Sequence, residues 1–249
     1  MPLPDPERHP LCAFFLTRYL QKCTDDDNFP FDRGEAVFDG YELVLVDALK
    51  VLGVTRETLR TKPEFNFDSG DISTLEAGIT TLRVVNALNL MAHTDISLIK
   101  PPKNGSGADL LSEKNGRKIC FEVKALTKQS TGGKHKFLED QLYDKVFDLT
   151  AKAKKQLAAS VAELKCDLQI LVLVVNWLSQ SIYLAESDYQ ALVNRLEEEQ
   201  EHTLLKGING VLFVTSAGVK FLFLDDQAKA VIDSQVVDSP VDGVRDTVR

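Results

Sequence analysis

The sequence predicts an α/β fold with an α-β-β-β-α-β core, preceded by a helical extension and followed by further α/β structure. Three observations carry this expectation. An Asn115-Gly116 pair separates two strand-like runs, which is the strongest short-range hairpin signal. Residues 168–177 form a Val/Ile/Leu run with hardly a polar break, as expected of a strand buried on both faces. Between them, residues 137–164 read as one long helix. With 249 residues, 44% hydrophobic and 27% charged, the chain can bury a sizeable core, and its ordinary composition excludes disordered and fibrous classes.

Residues 10–22 read as a helix and 25–33 as a loop. Across 34–53 the apolar residues Val37, Tyr41, Val44, Ala48 and Leu52 recur at helical spacing, and 65–70 reads as a connection. Residues 1–70 are therefore expected to form an N-terminal helical extension. A helix over 73–91 opens with Ser73-x-x-Glu76, a capping-box pattern, and carries Leu75, Ile79, Leu82 and Asn86 on one stripe. A short strand over 93–100 closes at Pro101-Pro102, and strands over 108–112 and 118–126 flank the Asn-Gly turn. With the long helix and the buried strand they make a core over 71–180. A helix near 187–200 and strands over 210–215 and 219–224 predict a C-terminal α/β extension over 181–249, packed on the core.

Net charge is −8, against a protein coated in nucleic acid. Its distribution is uneven: residues 100–155 hold 13 Lys/Arg against 7 Asp/Glu, leaving −14 on the remainder. A basic middle suits a local phosphate-facing surface, although a solvated helix face gives a similar count. Cys12, Cys23, Cys120 and Cys166 form no CxxC pair, no secretory pattern opens the chain, and no apolar run approaches the ~20 residues of a membrane span. A reducing, cytoplasmic setting without a membrane partner is expected. His9, His93, His135 and His202 lack metal-ligand spacing, and no Walker loop, dinucleotide fingerprint or nucleophile elbow occurs.

If Asn115 and Gly116 are the central residues of a type I′ turn, Lys114 faces Arg117, and counting back places Asp109 opposite Glu122 on one sheet face. Lys124 shares that face by alternation, while Leu110, Ile119, Phe121 and Val123 make the other face apolar. Spacing alone leaves two readings open. One is a solvated cross-strand charge cluster of little energetic weight. The other is a hard-oxygen site in which two carboxylates hold Mg²⁺ or Mn²⁺ and the ammonium serves phosphodiester hydrolysis.

Gly107-Ala108-Asp109, twelve intervening residues and then Glu122-Val123-Lys124 on an apolar strand resembles the PD-(D/E)XK, or restriction-endonuclease-like, nuclease superfamily. The α-β-β-β-α-β order resembles that family's core too, over roughly residues 75–177. The resemblance implies a mixed central sheet and a Mg²⁺- or Mn²⁺-dependent endonuclease acting on DNA. It implies metal ligation by Asp109, Glu122 and the carbonyl of Val123, with Lys124 orienting the attacking water. Glu76 is the best match to the family's helical acid, although it equally fills the third position of the capping box. Ala108 replaces the family's proline, which leaves the ligand intact. Gln141 is followed by Lys145 where RecB-like members carry Gln-x-x-x-Tyr, which argues against that subfamily and not against the fold.

The basic, glycine-rich stretch 128–136, with Lys128, Lys134 and Lys136, is suited to contact nucleic-acid phosphates and equally to be a plain connection. Gln156 lies beside the stripe Leu149, Ala153, Leu157 and Ser160 and either reaches the site and its nucleic acid or is simply solvated. The competing expectation is a nuclease fold that lost catalysis and serves as a binding or assembly subunit; overall acidity and the helical front half leave room for a homodimer or a larger nuclease complex. A two-carboxylate hydrolase of sugars is a distant third, since the chain has a single Trp with which to line a sugar cleft.

Overall fold

A computed structural model describes residues 3–22, 35–69, 72–99, 107–126, 139–175, 186–199, 205–215 and 218–232. Helices α1 (Pro10–Lys22), α2 (Glu35–Leu52) and the short α3 (Arg56–Arg60) come first, followed by 3-10 turns at Pro63–Phe65 and Phe67–Ser69. Then follow α4 (Ile72–Leu90), β1 (Thr94–Leu98), β2 (Leu110–Lys114), β3 (Arg117–Leu126), α5 (Glu139–Leu164) and β4 (Leu168–Val175). The described chain ends with α6 (Glu186–Glu199), β5 (Gly210–Thr215), β6 (Gly218–Phe223) and α7 (Asp226–Ile232).

The strands form one six-stranded mixed sheet in sequence order. β1, β2 and β3 are antiparallel, β3–β4 and β4–β5 are parallel, and β5–β6 is antiparallel. Parallel neighbours need a crossover, and α5 supplies it between β3 and β4. β4 is central, and Leu168 and the unbroken run Ile170–Val174 are all buried, which explains its lack of polar alternation. Asn176 and Trp177 lie outside the described residues.

Two apolar layers cover the sheet. One face packs Leu110, Ile119, Phe121 and Val123 with Ile170 and Val172 against Leu75, Ile79 and Leu82 of α4, with α1 and α2 beyond. The other packs Cys120, Leu171, Leu173 and Phe213 against Val146, Ala153 and Leu157 of α5 and Leu192 and Leu196 of α6. The face predicted to gather the charges is therefore under helices. Among the described residues no helix is long and apolar enough to cross a membrane.

From Lys114↔Arg117 to Leu110↔Phe121 the hairpin follows its predicted register, but the ladder ends before the expected Asp109–Glu122 pair. Asn115 and Gly116 both have positive φ, 50° and 72°, as a type I′ turn requires, and Lys114 faces Arg117. The turn also docks elsewhere: Lys114 Nζ donates to the carbonyls of Met91 and Ile232, and Asn115 Nδ2 donates to that of Val231, satisfying carbonyls at or beside the ends of α4 and α7. Helix α1 is held similarly at its start, where the Glu42 carboxylate of α2 accepts from the N–H groups of Leu11 and Cys12.

Several boundaries differ from expectation. The segment before α4 contains α3 and the two 3-10 turns, tied together by Arg60, whose guanidinium donates to both oxygens of Asp68. α4 is described from Ile72, one residue before Ser73. The side chains of Ser73 and Glu76 are not among those described. β2 begins at Leu110 rather than 108, and α7 was not anticipated.

Candidate metal and hydrolytic site

β3 carries Glu122 and Lys124 on the face covered by α5, and Asp109 precedes the first residue of β2. The ladder is regular from Lys114↔Arg117 to Leu110↔Phe121, one residue short of the expected Asp109–Glu122 pair. There the regular ladder stops. Asp109 N–H donates to the Phe121 carbonyl, and the N–H of Val123 turns to the Asp109 side chain, donating to Oδ2 at 2.8 Å. A carboxylate thus replaces a backbone acceptor where the strands part. In extended backbone a residue's N–H and C=O project to the same edge, so the Val123 carbonyl faces the side on which Asp109 lies.

Glu122 is completely buried, at 0% exposure. Oε1 accepts from Lys124 Nζ, while Oε2 is buried without a hydrogen-bond partner. A solvated charge cluster is therefore excluded for this residue. Burial, and next the charge of Asp109, push its carboxyl up to about 8, against the smaller opposing pull of Lys124. Burial also raises Asp109, opposed by the Val123 N–H and the Lys124 charge. The carboxylate of Glu64 adds to that rise. Glu64 sits on the 3-10 turn Pro63–Phe65, which α4 admits closely only because residue 78 is glycine: a Cβ there would lie 2.7 Å from the Glu64 carbonyl oxygen.

Lys124 is 19% exposed at its side chain and has a second partner, Gln156 Oε1 on α5, at 2.9 Å. Gln156 Nε2 reaches the Gly107 carbonyl at 3.5 Å, and one turn further Ser160 Oγ accepts the Ala108 N–H at 2.6 Å. Helix α5 therefore grips both sides of the site.

The geometry sorts the predicted residues. Asp109, Glu122, Val123 and Lys124 come together. Gln156 reaches the site, but its side chain is engaged by Lys124 and Gly107 and is not simply solvated. Lys128, Lys134 and Lys136 lie outside the described residues. Glu64 and Ser160 are additions: Ser160 stood on the predicted buried stripe of α5, a polar residue in need of a partner, whereas Glu64 carries no sequence signal, being delivered by a non-local contact. His93 is structural, with its ring against Phe121 and Nδ1 on Ser112 Oγ at 2.7 Å; burial lowers its pKa to about 3 and keeps it neutral.

Comparison with models of protein families, with curated proteins and with solved structures finds no match.

The donor set suits a hard divalent cation on its chemistry. Glu122 Oε2 is a carboxyl oxygen shielded from water and without a partner, able to ligate once its proton is displaced, Asp109 retains acceptor capacity beyond its one backbone bond, and the Val123 carbonyl adds a neutral oxygen. Among the described residues no group of three or more His, Cys, Asp or Glu side chains is arranged to hold a metal. Two carboxylates and a carbonyl with several waters is a Mg²⁺-type set, whereas zinc prefers nitrogen and sulfur ligands.

Proposed function

We propose that the chain is a divalent-metal-dependent endonuclease hydrolysing phosphodiester bonds, with DNA as substrate, built on a restriction-endonuclease-like core. One observation carries the reading: Glu122 is wholly buried with an oxygen that nothing in the described structure satisfies, beside a second carboxylate and an ammonium. A buried carboxyl oxygen without a partner costs stability whether or not it carries charge, and a site retained for packing alone has no use for it. The element order α4-β1-β2-β3-α5-β4, with antiparallel β1–β3 followed by parallel β4, supports the same reading.

In this reading Asp109, Glu122 and the Val123 carbonyl hold Mg²⁺ or Mn²⁺. The ion supplies Lewis-acid stabilisation of the phosphodiester and lowers the pKa of water. Lys124 directs a positive charge at the same place, where it orients the attacking water and offsets negative charge developing on phosphate. Helices α4 and α5 close both sheet faces, so these charges act in a low-dielectric setting. With a cation held by the two carboxylates, the ion and the Lys124 ammonium together suit a phosphate anion of a nucleic-acid duplex.

The test is cleavage of plasmid DNA by purified protein with Mg²⁺ or Mn²⁺, stopped by EDTA. Asp109→Ala should abolish cleavage and Mn²⁺ binding together while the circular-dichroism spectrum is kept. A parent protein that binds Mn²⁺ without cutting would make the chain a metal-binding assembly subunit.

A further inference from the structure

Helix α5 does more than cover the sheet. Gln156 and Ser160, one turn apart on the same helical side, reach the two backbone groups that precede Asp109 and the ammonium that follows Glu122. The amide of Gln156 has a fixed sense. Its oxygen must face Lys124, because an NH₂ group there would set donor against donor, and its nitrogen is then the group that meets the Gly107 carbonyl. The result is a neutral acceptor locked toward an ammonium whose other acceptor is a carboxylate.

That carboxylate is the one placed to ligate a cation. A cation on Glu122 withdraws negative charge from the ammonium and repels it, so Lys124 loses its hold on Oε1 when the site is loaded. Resting on the metal-site reading above, we infer that Gln156 is a positioning residue that retains Lys124 over the site when Glu122 takes a cation. A neutral amide suits the task better than a second carboxylate, which would compete for the cation.

Two measurements on the full chain test this. The first is a double-mutant cycle of Mn²⁺ affinity by calorimetry, on the parent, Gln156→Leu, Lys124→Ala and the double variant. Gln156→Leu should weaken Mn²⁺ binding about three- to tenfold, the scale of one lost hydrogen bond, because Lys124 then has only Glu122 to bond. In the Lys124→Ala background the same change should have no effect. The second is the ¹⁵N ammonium resonance of Lys124 in metal-free protein. It should shift or vanish through faster exchange in Gln156→Leu and persist in Gln156→Glu, which keeps an oxygen for Lys124.

Equal weakening in both backgrounds would mean that Gln156 only supports the fold, and an ammonium signal unchanged in Gln156→Leu would mean that it does not hold Lys124. Either result overturns the inference and leaves the metal site standing. A parent protein that binds no Mn²⁺ overturns the metal site, and this inference with it.

Discussion

Replacing Glu122 by Gln should stabilise the metal-free protein at alkaline pH, by an amount that the structure sets. Its carboxyl is raised from 4.5 to about 8, chiefly by burial and then by Asp109. The folded state therefore keeps a proton that the unfolded chain has released between these two values, and stability falls as pH rises from about 4.5 to 8. At about 1.36 kcal/mol per pKa unit the whole shift corresponds to roughly 5 kcal/mol. Water entry and side-chain relaxation absorb part of it, leaving an expected gain of about 2–4 kcal/mol for Glu122→Gln above pH 8. At pH 4.5 and below the two proteins should be equal, since a protonated Glu and a Gln are near-isosteres. Urea denaturation in EDTA at pH 4.5, 6.5 and 8.5 reads the difference directly. Mn²⁺ at a hundred times its Kd should restore about 2.7 kcal/mol to the parent and nothing to the variant. Parallel pH profiles for the two proteins, or a variant less stable at pH 8.5, would refute the claim that Glu122 is held at a cost to the fold.

Lys124→Ala should not weaken Mn²⁺ binding, since Gln156 already holds the ammonium off the loaded Glu122, and should reduce single-turnover DNA cleavage by a factor of order 10² or more through the lost charge on water and phosphate. Burial, and next the charge of Lys114, depress the His93 pKa from 6.5 to about 3. Its contribution to stability is therefore present above pH 6.5 and lost as pH falls toward 3, with a slope of up to about 1.4 kcal/mol per pH unit that His93→Gln should remove from acid-denaturation curves. Gly78→Ala reverses a usual rule. In an open helix the change gains up to about 1 kcal/mol, but here the new Cβ would meet the Glu64 carbonyl oxygen at 2.7 Å and the Phe67 ring at 2.8 Å. A net loss of about 1–3 kcal/mol in urea is expected, with weaker Mn²⁺ binding if Glu64 supports the site.

The hairpin was legible because its determinants are local. Asn115-Gly116 dictates a turn with two positive φ values, and period-two alternation then assigns Asp109, Glu122 and Lys124 to one face without knowledge of the rest of the chain. The burial of that face was not legible. Charged residues on alternate strand positions read as solvent-facing, and only the placement of α5 across the sheet makes Glu122 a buried carboxyl. The stripe on α5 located Ser160 correctly as a buried position, but a helical period says which side of a helix is covered and not what lies beneath it. Gln156, on the flank of that stripe, therefore read more readily as solvated than as part of the site. Glu64 was invisible for a related reason: its approach to Asp109 depends on a 3-10 turn that packs over a glycine fourteen residues later.

The central claim is that Asp109 and Glu122 share a divalent cation. Crystals of the parent protein soaked in Mn²⁺ and measured at the manganese absorption edge test it most directly. One anomalous peak is expected between the Asp109 carboxylate and Glu122 Oε2, with the Val123 carbonyl in its coordination shell and Lys124 outside it. Density showing Lys124 still bridging Glu122 with no peak there, at Mn²⁺ concentrations that load sites elsewhere, would contradict it.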